Sequence, residues 1–173
     1  GGADARATGK DGRTALEWAE AEGHEDVAQL LREHLQDPYE LNDACRDGDT
    51  AAIKAWLEAG GDPNATVHSG YPAWWGAIDA GEEGAVQQIV DCEGTDLELK
   101  STAPNYGSKD HTALSYTAKW GKLGIARRLL RGGADARATG KDGRTALEWA
   151  EAEGHKAVAQ LLREHRQQQP QQQ

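Results

Sequence analysis

The first combination in this chain with chemical potential is a thiol among carboxylates: Cys45 stands with Asp43, Asp47 and Asp49 around Gly48. Such a set would serve a nucleophile or a metal site. Asp47 and Asp49 flank a turn glycine, however, where carboxylates are ordinary surface and N-cap residues. Cys45 follows Ala44, a small buried position, and is expected to pack against the next helix. His24 and His155 each follow a glycine, and this repeated Gly-His pair predicts structural hydrogen bonding. No two histidines stand at i,i+4 and no CxxC occurs, the spacings that zinc sites use. Residues 132–143 (GGADARATGKDG) superficially resemble a phosphate loop. They lack the GK[ST] ending and the strand-to-helix setting that cradles phosphates. The expectation is no enzyme, no cofactor and no metal.

Bulk composition narrows the partners. The 173 residues carry 19 basic and 29 acidic side chains, a formal net charge of -10. Nucleic acid and anionic membrane surfaces would both repel such a chain. No apolar run is long enough to span a bilayer, so direct membrane insertion is not expected. Phe and Met are absent, so six Trp supply much of the bulk. The two cysteines, Cys45 and Cys92, favour a reducing, intracellular setting. The expected location is the cytoplasm. The chain starts inside a repeat without an initiator Met, so a targeting segment could lie upstream.

The elements that position these residues come from duplication. Residues 1–34 recur as residues 132–165, a period of 131, with two differences: Glu25 becomes Lys156 and Asp26 becomes Ala157. A shorter period sits inside. Aligning on Gly23, Gly48, Gly81, Gly121 and Gly154 places bulky Leu16, Leu41, Trp74, Leu114 and Leu147 seven residues before each glycine. It places small Ala19, Ala44, Ala77, Thr117 and Ala150 four residues before. After each glycine comes an amphipathic stretch: Val27/Leu30/Leu31, Ile53/Trp56/Leu57, Val86/Ile89/Val90, Ile125/Leu129/Leu130 and Val158/Leu161/Leu162. That spacing predicts a second helix with one apolar face. A Gly-x-Asp turn recurs at 2–4, 60–62, 94–96 and 133–135, where Gly ends a helix and Asp bonds the following turn.

A unit of about 33 residues, with a turn and two short helices, resembles the ankyrin repeat. The T-P-L-H-x-A box of that family reads TALEWA at 14–19 and 145–150, TALSYT at 112–117, PAWWGA at 72–77 and YELNDA at 39–44. The box His is missing from all five copies, and its hydrogen bond must be replaced or lost. The resemblance implies an all-α solenoid of paired antiparallel helices with β-turn fingers. Residues 1–36 are then the C-terminal capping repeat of a preceding, near-identical module. A four-repeat module follows at 37–165 (about 37–65, 66–98, 99–135 and 136–165), with a finger enlarged over 94–111. The Gln-rich stretch 166–173 is expected to be unable to order itself, and to be held by something outside its own module.

The family's ligands meet the finger tips and the groove-facing end of the first helix. Position by position, this implies partner contacts at His68, Tyr71 and Asp79, then Lys109, His111, Lys119 and Trp120, then Lys141, Arg144 and Glu153. Trp18, Trp56, Trp74 and Trp149 lie at core spacings. Trp75 and Trp120 differ, and either bind or pack beneath the enlarged finger. Lys109, Lys119, Lys141 and Arg144 form a basic rim on an acidic body, suited to an acidic peptide or protein patch. The function implied is a non-catalytic protein-binding module of a larger tandem-repeat protein. The alternatives are an assembly spacer docking along a large complex and a regulatory appendage of an enzyme.

Overall fold

The computed structural model describes residues 9–10, 12–35, 37–67, 70–104 and 107–168. The helices come in pairs: α1 (Ala15–Ala21) with α2 (Glu25–Leu35), α3 (Pro38–Asp47) with α4 (Thr50–Glu58), and α5 (Trp75–Ala80) with α6 (Glu83–Val90). Two more pairs follow, α7 (Ala113–Lys119) with α8 (Leu123–Arg131) and α9 (Ala146–Ala152) with α10 (Lys156–Gln168). A two-stranded antiparallel ribbon, β1 (Thr66–Val67) and β2 (Tyr71–Pro72), leads into α5, with Thr66 opposite Pro72. A short 3-10 turn, Lys141–Gly143, precedes α9.

Local sequence explains where these helices begin. Thr14, Thr112 and Thr145 each accept a hydrogen bond from the amide three residues on. The residue there, Glu17, Ser115 or Glu148, bonds back to the cap amide, so both orphan donors of the first turn are satisfied. Asp37 and Asp49 cap α3 and α4, and Pro38 opens α3 with its φ already helical. Each first helix stops at its aligned glycine, whose φ is +72 at Gly23, +69 at Gly48, +90 at Gly81, +67 at Gly121 and +76 at Gly154. Three of the Gly-x-Asp turns close as expected: Asp62, Asp96 and Asp135 accept from the amides of Asn64, Glu98 and Arg137. The first, at 2–4, lies outside the described residues.

Helix pairs stack in chain order, α3 on α5, α4 on α6, α6 on α8, α7 on α9 and α8 on α10. One continuous core results, from Leu41 to Leu162, with Trp56, Trp74 and Trp75 among its largest fully buried side chains. Cys45 lies inside it, and burial pushes its thiol up to about 12, far from a reactive thiolate. Trp75 is therefore core.

The first pair differs. Leu16, Ala19 and Ala28, with Leu31 against them, form a separate small cluster. Trp18, Val27 and Leu30, expected inside, are exposed. Their spacing is right for a buried face, but burial needs a neighbouring repeat, and no described residue covers this one.

The missing box histidines are replaced one by one. Asn42 Nδ2 donates 2.6 Å to the carbonyl of Ala73 in the next repeat. Ser115 Oγ takes the amide of Thr112 at 3.0 Å. Glu17 and Glu148 close capping boxes, and Trp75 fills the position with ring volume. The tail also departs from expectation: α10 runs through Gln168. Arg and Gln are good helix formers, and lengthening an existing helix avoids the cost of a new nucleus. Residues 169–173 lie outside the described residues.

Two glycines of like conformation test the stacking. A Cβ on Gly121 would sit 2.5 Å from Nδ1 of His155, whereas one on Gly154 would meet nothing within 4 Å. Gly154→Ala should cost about 1 kcal/mol for the left-handed backbone alone. Gly121→Ala should cost roughly 1–2 kcal/mol more, because it also displaces a hydrogen-bonded ring. Urea denaturation of both variants checks the difference.

Candidate functional site

The candidate site is a row of rings assembled from three repeats. Trp75, at the start of α5, stacks on Tyr116 of α7 with centroids 5.4 Å apart and planes 17° apart. Trp74 and Tyr71 meet Trp75 edge-on at 6.2 and 6.1 Å. Tyr116 meets Trp120 edge-on at 6.3 Å and His111 at 5.9 Å. His111 in turn lies 5.0 Å from Trp149 of α9. These offset and edge-on arrangements are the ones that ring quadrupoles favour. Trp120 alone in this row is exposed, at 54%, and it stands at the C-terminal end of α7.

Cations close over the row. Lys119 Nζ lies 5.5 Å from the centroid of Trp120 and 5.4 Å from that of Trp149. Arg144 lies 4.9 Å over Trp149. Lys119 also reaches the carbonyl of Gly107 in the enlarged finger at 3.4 Å, while its own carbonyl contacts His155 Nε2 at 2.9 Å. The end of α7 is thus held from the finger on one side and the last repeat on the other.

Asp79 is exposed, but its carboxylate is engaged. Tyr71 donates its hydroxyl to one oxygen, and Tyr116 donates to the other at 2.9 Å. Burial, then the adjacent Asp79 charge, push the Tyr116 hydroxyl well above its ordinary pKa, so it stays a donor. Lys122 Nζ donates to the Asp79 carbonyl at 2.9 Å. Asp79 therefore positions Tyr116, which meets Trp120, and Tyr71, which meets Trp75.

The other expected contact residues divide. Lys109, Arg144 and Glu153 are exposed, and Lys119 and Lys141 are half-buried. His68 lies outside the described residues. Tyr71 and His111 are buried, so neither offers its side chain to a partner. The enlarged finger holds the backbone of His111. The Ser101 amide donates to the His111 carbonyl at 3.2 Å, the Asp110 amide to the Ser101 carbonyl at 2.7 Å, and the Ser101 and Ser108 hydroxyls pair at 2.9 Å. The loop folds back on itself and ties down the His111 backbone, while the ring packs against Tyr116 and Trp149. It also leans on the preceding finger, where the Thr102 amide donates to the Gly70 carbonyl at 3.0 Å.

Sequence reasoning missed Tyr116 and the part Trp149 takes in holding cations. A signal for Tyr116 existed: it lies four residues before Trp120, one turn below it on the same helix face. Among the described residues, no group of three or more His, Cys, Asp or Glu is arranged to hold a metal.

A family model of ankyrin repeats in three copies matches residues 74–173, and a model of the single ankyrin repeat matches residues 11–43. The chain belongs to the ankyrin repeat family. Ankyrin repeats are in general protein–protein interaction modules, typically non-catalytic. Among the described residues, no helix is long and apolar enough to cross a membrane.

His111 gives the site a pH signature. Its Nδ1 pairs with Ser115 Oγ at 3.0 Å, and Nε2 has no hydrogen-bond partner among the described residues. Burial first, then Lys119 and Lys141, lower its pKa from 6.5 to about 4. The folded state thus favours the neutral ring. That stability is complete above about pH 6.5 and is lost as pH falls toward 4, by about 2–3 kcal/mol at most. Denaturation midpoints between pH 7 and 4 should fall more steeply for the native chain than for His111→Gln.

Proposed function

We propose that this chain is a non-catalytic protein-binding module of a larger tandem ankyrin-repeat protein, and that it seats an acidic partner segment around Trp120. The observation that carries this reading is the exposed Trp120 indole, propped by Tyr116 and flanked by Lys119. An exposed, rigidly supported Trp is the kind of side chain that dominates interface energies. Its supports are buried and mutually stacked, so little ordering cost opposes association. Lys109, Lys119, Lys141 and Arg144 supply the cations of the rim, and acidic residues of a partner would complement them. The expected contacts from the family resemblance thus reduce to Trp120, these four cations and Glu153, with Asp79 and Tyr71 as supports.

The assembly-spacer reading is favoured by one specific observation, the near-identity of residues 1–34 and 132–165. Repeated surfaces suit repeated docking sites along a large complex.

Selection of a displayed peptide library on the immobilised chain tests the proposal. Enriched peptides should be rich in Asp and Glu with an apolar anchor. Trp120→Ala and Lys119→Glu should each weaken them by about 1–2 kcal/mol, roughly tenfold, with little change in melting temperature. Peptides that tolerate both changes but lose binding with Arg127→Glu, on the second helix α8, would place the site elsewhere.

A further inference from the structure

The second helices of successive repeats lie side by side, and the glycine alignment lets two of their seams be compared position by position. In the α6–α8 seam, α6 supplies acceptors and α8 a cation: Arg128 donates from Nε to Glu83 and from Nη1 to Gln87, each at 3.1 Å. The helices close tightly there because Gly132 has no Cβ; one would collide with the Val90 side chain. The α8–α10 seam is built differently. Arg127 stands where α6 has Gln87, Arg131 where it has Asp91, and Leu123 where it has Glu83. Across from them, Leu161 replaces Arg128 and His165 replaces Gly132. This seam therefore holds cations without the matching acceptors, and an imidazole where the other closes on a glycine.

A cleft of about 230 Å³ lies between α8 and α10 as a result. Leu130, 5% exposed, and the half-buried Leu161 form its floor. Arg127 and Arg131 stand on the α8 wall one helical turn apart, with Cβ atoms about 5–6 Å from each other. Both are exposed, and among the described residues no carboxylate pairs with either. His165, Gln168 and Glu164 line the α10 side. Glu164 is the only acid of the lining, and it accepts from Gln160 Nε2 at 2.7 Å along its own helix. The wider surroundings are basic in a chain of net charge -10. Together α8 and α10 carry Arg127, Arg128, Arg131, Lys156, Arg163 and Arg166 against Glu164. A concave site with such an excess concentrates the field on an incoming anion.

The lining specifies the ligand. Guanidinium forks hold oxyanions by paired N–H bonds, and two forks offer more donors than the two oxygens of one carboxylate can use. A phosphomonoester has three terminal oxygens and about two charges, which match them. The two leucines call for an apolar body, and the volume limits it to about the size of one side chain. We propose that the α8–α10 cleft binds a phosphomonoester with a small apolar body, its phosphate held by Arg127 and Arg131 and its body resting on Leu130 and Leu161. The site lies on the second helices, apart from the Trp120 surface, and stands whether or not that surface binds a partner.

Titration with phenyl phosphate tests it, followed through the arginine Nε–H resonances and the amides of α8 and α10. Arg127, Arg131 and residues 161–168 should shift together and saturate. Inorganic phosphate, which lacks the ring, and phenylacetate, which lacks the third oxygen, should each bind about tenfold more weakly. Arg127→Gln and Arg131→Gln, both at exposed positions, should each cost about tenfold. Glu164→Gln should tighten binding roughly two- to threefold by removing the one carboxylate of the wall. A phosphotyrosyl peptide that binds more tightly than phenyl phosphate supports the site and assigns the ester to a phosphorylated protein. One that binds no more tightly supports it and assigns a free ester. Shifts spread over all surface cations without saturation, or binding that survives the double Arg127→Gln, Arg131→Gln change, overturn the site. Phenylacetate bound as tightly as phenyl phosphate overturns the phosphate assignment. Trp120→Ala should leave phenyl phosphate binding unchanged, so the proposed function is read separately.

Discussion

A pair of helices some twenty residues long cannot bury its own apolar face, and everything else in this molecule follows from that. Burial belongs to the contact between repeats. The polar interactions obey the same rule: Asn42 reaches Ala73, Asn64 reaches Gly94 and Asp96, Arg128 reaches Glu83 and Gln87, and the Asp135 amide reaches Glu98. Each bond runs from one repeat to its neighbour. The fingers form a ladder this way, since Asn64 and Glu98 hold the same position two residues after the turn aspartate, and each engages the next turn's backbone.

The region around Trp120 is built by the same logic. Tyr71 and Asp79 come from one repeat, Tyr116, Lys119 and Trp120 from the next, and Arg144, Trp149 and His155 from the last. No single repeat could hold the indole in place. Asp79 fixes two hydroxyls, the stacked Trp75 fixes the Tyr116 ring, and His155 fixes the end of α7. The exposed part of this arrangement is small, and its foundation is deep and buried.

Much of this was legible in the residues. The glycine alignment located every helix pair. The Gly-x-Asp turns and the burial of Cys45 followed from their types. What escaped is instructive. Trp18 and Trp149 have the same neighbours in sequence and opposite exposure, so no local pattern could separate them. His111 reads as a finger residue, but its ring packs against Tyr116 of α7 and Trp149 of the next repeat. Arg166 to Gln168 read as tail by composition, but they extend a helix already nucleated. In each case a non-local contact, or the propagation of an existing element, decided against composition.

The duplicated block also sets a problem for folding kinetics. The surface of α7 and α8 can be covered by either of two segments with almost the same sequence, and the native chain must choose the later one. Loop closure makes the choice: only the short stretch 132–145 separates α8 from α9, whereas α1–α2 must return across residues 36–112. The downstream pair therefore arrives first, at the higher effective concentration. At high protein concentration that advantage shrinks, and the segment that waits at the front of one chain becomes a competitor for the unfinished stack of another.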